Sequence, residues 1–269
     1  MNLAKLKKNH KLFRTLSGLT PPVFDRLVEL VTLLWEQHAY ARTPKKQRKH
    51  AVGAGRRYRL TLEQSVFLTL LHFRTYETYA FLGFLFHIDF STAYRYIQRI
   101  EPLIDACMDI PREPKILSKE EVLRIVDATE QETGHRGGSG YSGKKRKQTI
   151  KTQVVVTAEG RIKHISRSVP GNMHDKKLYD IAGASADMGD LGYVGTGMLL
   201  PHKSSKLRKL TTEQRAENAV FAARRILVEH LFAHLKQWKI LAHRFRQSLT
   251  GYNRIFRSVC GLKMMMQGA

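Results

Sequence analysis

The sequence predicts an α/β protein in which helices come first and a sheet covered by helices follows. Apolar residues recur at helical spacing over residues 60–107, in three pieces that short polar breaks separate. Residues 122–129, 149–170 and 182–195 instead contain short runs rich in β-branched residues, and helical spacing returns near Thr211. Strands that precede helices in this way fit a sheet covered by helices.

The charge of the chain indicates a polyanionic partner. It has 46 Lys and Arg against 23 Asp and Glu, a formal net charge of +23, and such a field attracts nucleic acid. An anionic membrane surface is the alternative, but no run of about 18 apolar residues could span a bilayer, and the polar start has no signal-peptide core. We therefore expect a cytoplasmic protein, nucleoid-associated when it binds double-stranded DNA, with no membrane partner.

A helix-turn-helix is predicted near residues 75–105. The segment TYETYAFLGFLFHI supplies one helix, and DFSTAYRYIQRIEPLI supplies a second, for which Ser91 or Thr92 can serve as the N-cap. The second helix would enter a major groove; the alternative is a plain helical bundle whose charges are solvated. Residues 41–59, just upstream, contain eight Lys or Arg and no acid, and are expected to follow DNA phosphates as an arm. The polar side of the second helix, which would contact DNA, carries Tyr94, Arg95, Gln98 and Arg99.

The chain is expected to form two domains. Residues 107–121 contain two prolines among polar residues and indicate a linker. We predict a helical N-terminal DNA-binding domain over residues 1–114 and an α/β domain over residues 115–269. In the second domain, residues 158–160, Ala-Glu-Gly, are expected to join two strands as a hairpin.

Two aspartates are candidate site residues on the predicted sheet. Asp127 follows the apolar run VLRIV, where a buried strand would leave the core, and it could equally be a turn cap. Asp190 lies among glycines that let backbone and ligand approach closely, although it could simply open a glycine turn. Asp187 is its nearby alternative.

A glutamate on a predicted helix completes the candidate set. Over the helix predicted for residues 224–241, Arg225, Glu229 and Lys236 project within roughly 40° of one another. They could form an exposed ion-pair face, but apolar residues border them, so a partly buried crevice is expected. Two aspartates and a glutamate are the hard oxygen ligands that Mg²⁺ or Mn²⁺ prefers, and two such ions promote phosphoryl transfer. Arg225 and Lys236 would then contact DNA phosphates.

Five motifs in order resemble the DDE transposases of the insertion sequence 5 family and its Harbinger-like relatives. They are IVDATEQ, YSGKKRKQTIKTQ, GNMHDKKLYD, GDLGYVGT and RRILVEHLFAHLKQWKIL. The resemblance spans about residues 60–265 and implies a ribonuclease-H-like catalytic domain after the helix-turn-helix. It also implies that Asp127, Asp190 and Glu229 are the catalytic acids and metal ligands. The family has a Tyr-Arg-Glu-Lys signature on this last helix, which Arg225, Glu229 and Lys236 match. Ala222 stands where the tyrosine is expected, a difference that does not affect the three acids.

Two further regions of these motifs contain candidate site residues. Asp175 is the alternative second acid, but we expect it to cap a helix, with His174 either supporting the acids or contacting DNA. Residues 133–148 would form a loop between two strands, either a mobile hairpin loop or a phosphate-binding one. The basic residues of this loop are Lys144, Lys145, Arg146 and Lys147.

The function that follows is an expectation. The chain would bind the terminal inverted repeats of an insertion sequence, cut at the element ends with two Mg²⁺, or with Mn²⁺ as the substitute ion, and transfer the 3′ hydroxyls to target DNA. Bringing two ends together implies a homodimer or larger assembly in the DNA complex. The alternatives are a metal-dependent endonuclease without strand transfer and a catalytically inert DNA-binding regulator.

Overall fold

The computed structural model describes residues 1–41, 58–108, 110, 123–134, 140–205 and 209–268. The chain divides into two compact units. The first comprises Met1–Met108 with the short segments Trp238–Ile240 and Met265–Ala269, and the second comprises Asp109–Gln237 with Leu241–Met264. The predicted boundary between residues 114 and 115 lies outside the described residues, as do residues 42–57 of the predicted basic arm.

The first unit is helical. Its core contains the fully buried rings of Phe13, Phe24 and Phe67, whose centroids lie 5.2 to 6.1 Å apart. Such contacts remove large apolar areas from water. The helices described in this unit are α1 (Leu3–Lys8), α2 (His10–Ser17), α3 (Pro21–Ala41), α4 (Leu62–Thr75), α5 (Tyr79–Phe86) and α6 (Phe90–Ala106).

The pair α5 and α6 forms the helix-turn-helix that the sequence predicts. A Cβ on Gly83 would lie 2.7 Å from the Ile88 carbonyl oxygen, so the close approach of the turn to α5 requires glycine. The predicted cap was wrong: Asp89 is the N-cap of α6, and its carboxylate accepts hydrogen bonds from the N–H and hydroxyl of Ser91. An aspartate one residue before the helix binds these donors directly, which leaves Ser91 and Thr92 inside the first turn.

The second unit is built on a sheet with β3 (Lys147–Thr157) at its centre. β3 pairs antiparallel with each of the other four strands, and residues 149–157 of β3 are all buried. The predicted hairpin at residues 158–160 is present between β3 and β4. The strands are β1 (Arg124–Glu132), β2 (Tyr141–Ser142), β3 (Lys147–Thr157), β4 (Ile162–Ile165) and β5 (Val169–Pro170).

The segment after the sheet is less regular than the sequence predicted. Residues 182–195 form no extended strand; Met188 alone makes parallel bridges, to Ile125 on one side and Leu199 on the other. Alanine and glycine dominate this segment and have low strand propensity, which explains the short pairing. A 3₁₀ helix, Leu191–Tyr193, follows. The five strands form an antiparallel sheet flanked by helices, and a helical unit precedes it, which confirms the predicted α/β class.

Helices complete the second unit. α8 (Thr212–Leu235) lies against β1 and buries Val228, Leu231 and Leu235. It ends at Leu235 instead of continuing to Leu241, because residues 236–238 form a turn in which Trp238 is buried. Within the described ranges, no helix is long and apolar enough to cross a membrane. The remaining helices are α7 (Asp175–Ala182), α8 (Thr212–Leu235), α9 (Lys239–Ala242), which enters both units, and α10 (Leu249–Gln267), most of which belongs to the second unit.

Candidate active site

Asp127 lies inside a strand and not at a strand end as the sequence suggested. It is the fourth residue of β1, opposite Val154 of β3, and its side chain is 17% exposed. One carboxylate oxygen accepts a hydrogen bond from the Ala128 N–H at 2.8 Å. Burial raises the pKa of Asp127, and the nearby Asp190 raises it further, while the Ala128 N–H and Arg225 oppose this shift. Because the charged Asp127 carboxylate needs a cation nearby in this half-buried position, it suits contact with a metal ion or a guanidinium group.

Asp190 reaches the same cleft from the loop after Met188. It caps the 3₁₀ helix Leu191–Tyr193 by accepting from the Gly192 N–H at 2.8 Å, so the turn-cap role considered from the sequence is present. Asp190 and Asp127 also line one cleft of about 240 Å³. The structure therefore brings these two predicted acids together, although 63 residues separate them in sequence. The acidic residues that line the cleft are Asp127, Glu130, Asp175 and Asp190.

Asp175 lines this cleft as well, but its carboxylate is paired with Lys151. Asp175 was predicted to cap α7, but it is the first residue of this helix. The N-cap is His174, whose ring nitrogen accepts a hydrogen bond from the Lys176 N–H at 3.3 Å. The Asp175 carboxylate accepts from Lys151 Nζ at 2.8 Å, and Lys151 lies 3.4 Å from Glu130. Sequence reasoning missed Lys151 and Glu130, and the available signal was a lysine inside the apolar β3 pattern.

Asp187 is bound to Arg124. Its two oxygens accept from the Arg124 Nε and guanidinium NH₂ at 3.0 and 2.8 Å, and one of them also accepts from the Arg124 backbone N–H. The Arg124 hydrogen bonds lower the pKa of Asp187, against a smaller effect of burial. This pair fixes the loop that carries Asp190 to the start of β1. Asp187 is not among the residues that line the acidic cleft.

Glu229 is connected to the acidic cleft through Arg225. The guanidinium lies 3.5 Å from Asp127 and 3.8 Å from Glu229, one helical turn along α8. The expected crevice is absent around Glu229 itself, whose side chain is 59% exposed. Its apolar neighbours Val228 and Leu231 point into the core instead, as helical spacing permits. Lys236 follows the last turn of α8 and lines a different, small cavity.

The predicted DNA-contacting residues divide between the two units. In the second, Lys144, Lys145 and Arg146 form the exposed turn between β2 and β3, and Lys144 also lines the acidic cleft. Lys147 begins β3 and pairs with Glu132 at 2.6 Å. In the first, α6 exposes Tyr94 and Arg95, whereas Gln98 and Arg99 are half-buried, the latter over the ring of Tyr58 at 5.5 Å.

The donor set fits a hard divalent cation. Carboxylate oxygens are what Mg²⁺ and Mn²⁺ prefer, and two of the three predicted acids face one cleft. In the described part of the chain, no three His, Cys, Asp or Glu residues already stand in a metal-binding arrangement. This agrees with the position of Glu229, which reaches Asp127 only through Arg225. Asp127 and Asp190 thus form the assembled part of the candidate site.

Comparison with known proteins identifies the family. Residues 126–263 match the family described as DDE superfamily endonuclease, and residues 58–109 match the helix-turn-helix of that family. This chain is a DDE superfamily endonuclease. The resemblance inferred from the five motifs is confirmed. The endonuclease match contains Asp127, Asp190 and Glu229, and the helix-turn-helix match contains α5 and α6.

Two relatives of this DDE superfamily endonuclease cover most of its length. A protein assigned as a transposase for insertion sequence element IS112, from Streptomyces albus G, is 32% identical over 84% of this chain and 83% of its own. A second, assigned as a transposase for insertion sequence element IS702, from Microchaete diplosiphon, is 26% identical over 91% of both chains. No solved structure matches the chain.

Proposed function

We propose that this DDE superfamily endonuclease is the transposase of an insertion sequence. It binds the terminal inverted repeats of the element, cuts phosphodiester bonds at the ends, and joins the 3′ hydroxyls to target DNA in the cytoplasm. The observation that supports this most is the cleft that Asp127 and Asp190 share, with Arg225 linking Asp127 to Glu229. The transposase assignments of both relatives support it independently.

Asp127, Asp190 and Glu229 are the residues that would hold divalent metal, two Mg²⁺ ions or Mn²⁺ in their place. Bound ions of this kind supply activation of the attacking water or hydroxyl and stabilisation of the departing oxygen. Asp127 is fixed by its strand and by the Ala128 N–H, and Asp190 by the Gly192 N–H, so both carboxylates are oriented before DNA arrives. No nucleophilic side chain is required, because the attacking oxygen comes from water or DNA.

Basic residues hold the DNA around this cleft. Lys144 lines it, and Lys145, Arg146 and Lys147 extend the positive charge along the exposed turn before β3 and the start of that strand, where phosphates would bind. Arg225 is placed to contact a phosphate beside the acids, and Lys236 contacts DNA further along. In the helix-turn-helix, α6 enters the major groove and Tyr94, Arg95, Gln98 and Arg99 contact the repeat. Two such chains at least bring the two ends together.

Cleavage and strand transfer on labelled DNA with candidate element ends test this proposal. The wild type is compared with Asp127→Asn, Asp190→Asn, Glu229→Gln and Asp175→Asn, with Mg²⁺, Mn²⁺ or EDTA. Asp180→Asn is the matched control, because it makes the same change at an exposed position of α7. We expect the first three variants to bind DNA but lose both reactions, whereas Asp175→Asn and Asp180→Asn keep them.

Each other result has a definite meaning. If Asp190→Asn is active and Asp175→Asn is not, Asp175 is the second acid. Cleavage by the wild type without any joined product indicates an endonuclease that performs no strand transfer. Specific DNA binding without cleavage under any divalent metal indicates a regulator whose acids are inert.

A further inference from the structure

A buried lysine lies in the middle of the acidic cleft. Lys151 is in the central strand β3, and its side chain is only 8% exposed. Its ammonium group donates to the Met173 carbonyl oxygen and to Asp175 Oδ1, each at 2.8 Å, and Glu130 Oε1 lies 3.4 Å away. A buried ammonium costs free energy unless such oxygens surround it, so these contacts define a built site for one positive charge.

The fold fixes both carboxylates around this lysine. Glu130 of β1 lies directly opposite Lys151 of β3 in the antiparallel register, and cross-strand neighbours of opposite charge attract. The other oxygen of Glu130 accepts from the Thr149 hydroxyl at 3.0 Å, so both of its oxygens have partners. Asp175 arrives with the first turn of α7, where Gln153 Nε2 contacts its backbone oxygen at 3.4 Å.

The cleft therefore contains two differently paired sets of acids. Lys151 contacts Glu130 and Asp175, whereas the carboxylate contacts of Asp127 and Asp190 are backbone N–H groups and Arg225. A divalent ion competes less well for a carboxylate that a buried ammonium group binds at 2.8 Å, as Lys151 binds Asp175, than for Asp127, from which Arg225 lies 3.5 Å away. Asp175 and Asp190 line the same cleft, but their carboxylates have different partners.

We propose that Lys151 is a positioning residue that acts through Glu130 and Asp175. Its ammonium group holds these two carboxylates and keeps them from binding metal, which confines divalent ions to the side of the cleft formed by Asp127 and Asp190. Which of the four carboxylates in this cleft bind a divalent ion is therefore determined by a lysine that contacts neither the DNA nor the reacting atoms. The inference rests on the proposed metal-dependent chemistry, but metal binding tests it without DNA.

Mn²⁺ titration of the full chain, by calorimetry or by electron paramagnetic resonance of free Mn²⁺, measures this effect. Lys151→Met leaves Glu130 and Asp175 unneutralised, so we expect an additional bound Mn²⁺ or a roughly tenfold lower Kd, because ligand charge sets affinity. Adding Asp175→Asn to that variant should return Mn²⁺ binding to the wild-type curve, and Lys151→Arg should stay close to it. Lys163→Met, a change of the same kind on β4, is the matched control and should bind Mn²⁺ as the wild type does.

A folded Lys151→Met protein whose Mn²⁺ binding equals that of the wild type, including no binding by either, overturns the proposal. If this variant does not fold, Asp175→Asn and the triple variant Lys151→Met/Glu130→Gln/Asp175→Asn decide. Both should bind Mn²⁺ within about threefold of wild type. A loss of about tenfold or more would contradict the proposal, because it would show that Glu130 or Asp175 supports metal binding, as a ligand or as a partner of one. Absence of DNA cleavage by the wild type would contradict the proposed function and leave these titrations valid.

Discussion

The backbone at Gly171 passes so close to β3 that a side chain has no room there. A Cβ on Gly171 would lie 1.7 Å from the Thr149 hydroxyl oxygen, which also donates to Glu130. We expect Gly171→Ala to lower the free energy of unfolding by about 1–3 kcal/mol through overpacking. Urea unfolding measures this, with Gly143→Ala as control, because a Cβ there meets nothing within 4 Å. Equal midpoints for the two variants would contradict the expectation.

Individual acids were easier to predict than their partners. Asp127 and Asp190 were candidates because each stands in a distinctive local pattern, and in the structure both line one cleft. Lys151 stands out in the sequence as a lysine in an apolar strand, but its partners Glu130 and Asp175 could not be predicted, because strand register and the start of α7 select them. Register depends on tertiary packing, and a shift of one residue would turn Lys151 to the other face of the sheet.

The pair Arg124 and Asp187 ties the Asp190 loop to β1. The lowered pKa of Asp187 means that its charged form stabilises the fold, and this stability is present above the unfolded pKa near 3.9 and is lost as pH falls through the lower folded pKa. Because Asp187 is 38% exposed, solvent screening limits the effect. At pH 7 we expect Asp187→Asn to lower the unfolding free energy by about 0.5–1 kcal/mol.

Denaturant unfolding from pH 7 to pH 3 checks this expectation. The difference between wild type and Asp187→Asn should be constant near neutrality and shrink below about pH 4. Asp180→Asn, at an exposed position of α7, should change little at any pH. A difference that does not vary with pH would mean that the Arg124 pair contributes through its shape and not through its charge.

Most helices and the strands β1, β3 and β4 followed sequence periodicity, but the ends of some helices did not. The helix expected near Thr211 does begin there, with Thr211 and Gln214 forming a capping box. The N-cap of α6 was misplaced because Asp89, Ser91 and Thr92 are all able to cap a helix within four residues. Apolar spacing predicts where a helix lies. Which of several neighbouring residues caps it depends on where the turn after α5 ends.

The excess of positive charge makes DNA affinity dependent on salt. Each phosphate that a basic residue neutralises contributes a slope of about −0.9 to log K against log salt concentration. We expect Lys144→Ala/Lys145→Ala to reduce the magnitude of the slope by about 2, because both side chains are exposed in the turn before β3. Fluorescence anisotropy with labelled duplex at several salt concentrations measures it.

A charge-matched variant separates local contact from net charge. Lys5→Ala/Lys8→Ala removes the same two charges from exposed positions of α1. Its slope should stay within about 0.5 of the wild-type value if Lys144 and Lys145 bind phosphates directly. Equal reductions by both double variants would show that net charge, and not the turn, determines the salt dependence.

The position of Arg225 changes what metal entry involves. The guanidinium already lies between Asp127 and Glu229, 3.5 and 3.8 Å from their carboxylates. Metal binding at the proposed site would therefore require the guanidinium to leave the two carboxylates, and each divalent ion would bring two positive charges where Arg225 supplies one. The displaced guanidinium, which cannot lose its proton, then becomes available to a phosphate. Metal loading and DNA binding would thus support each other through one side chain.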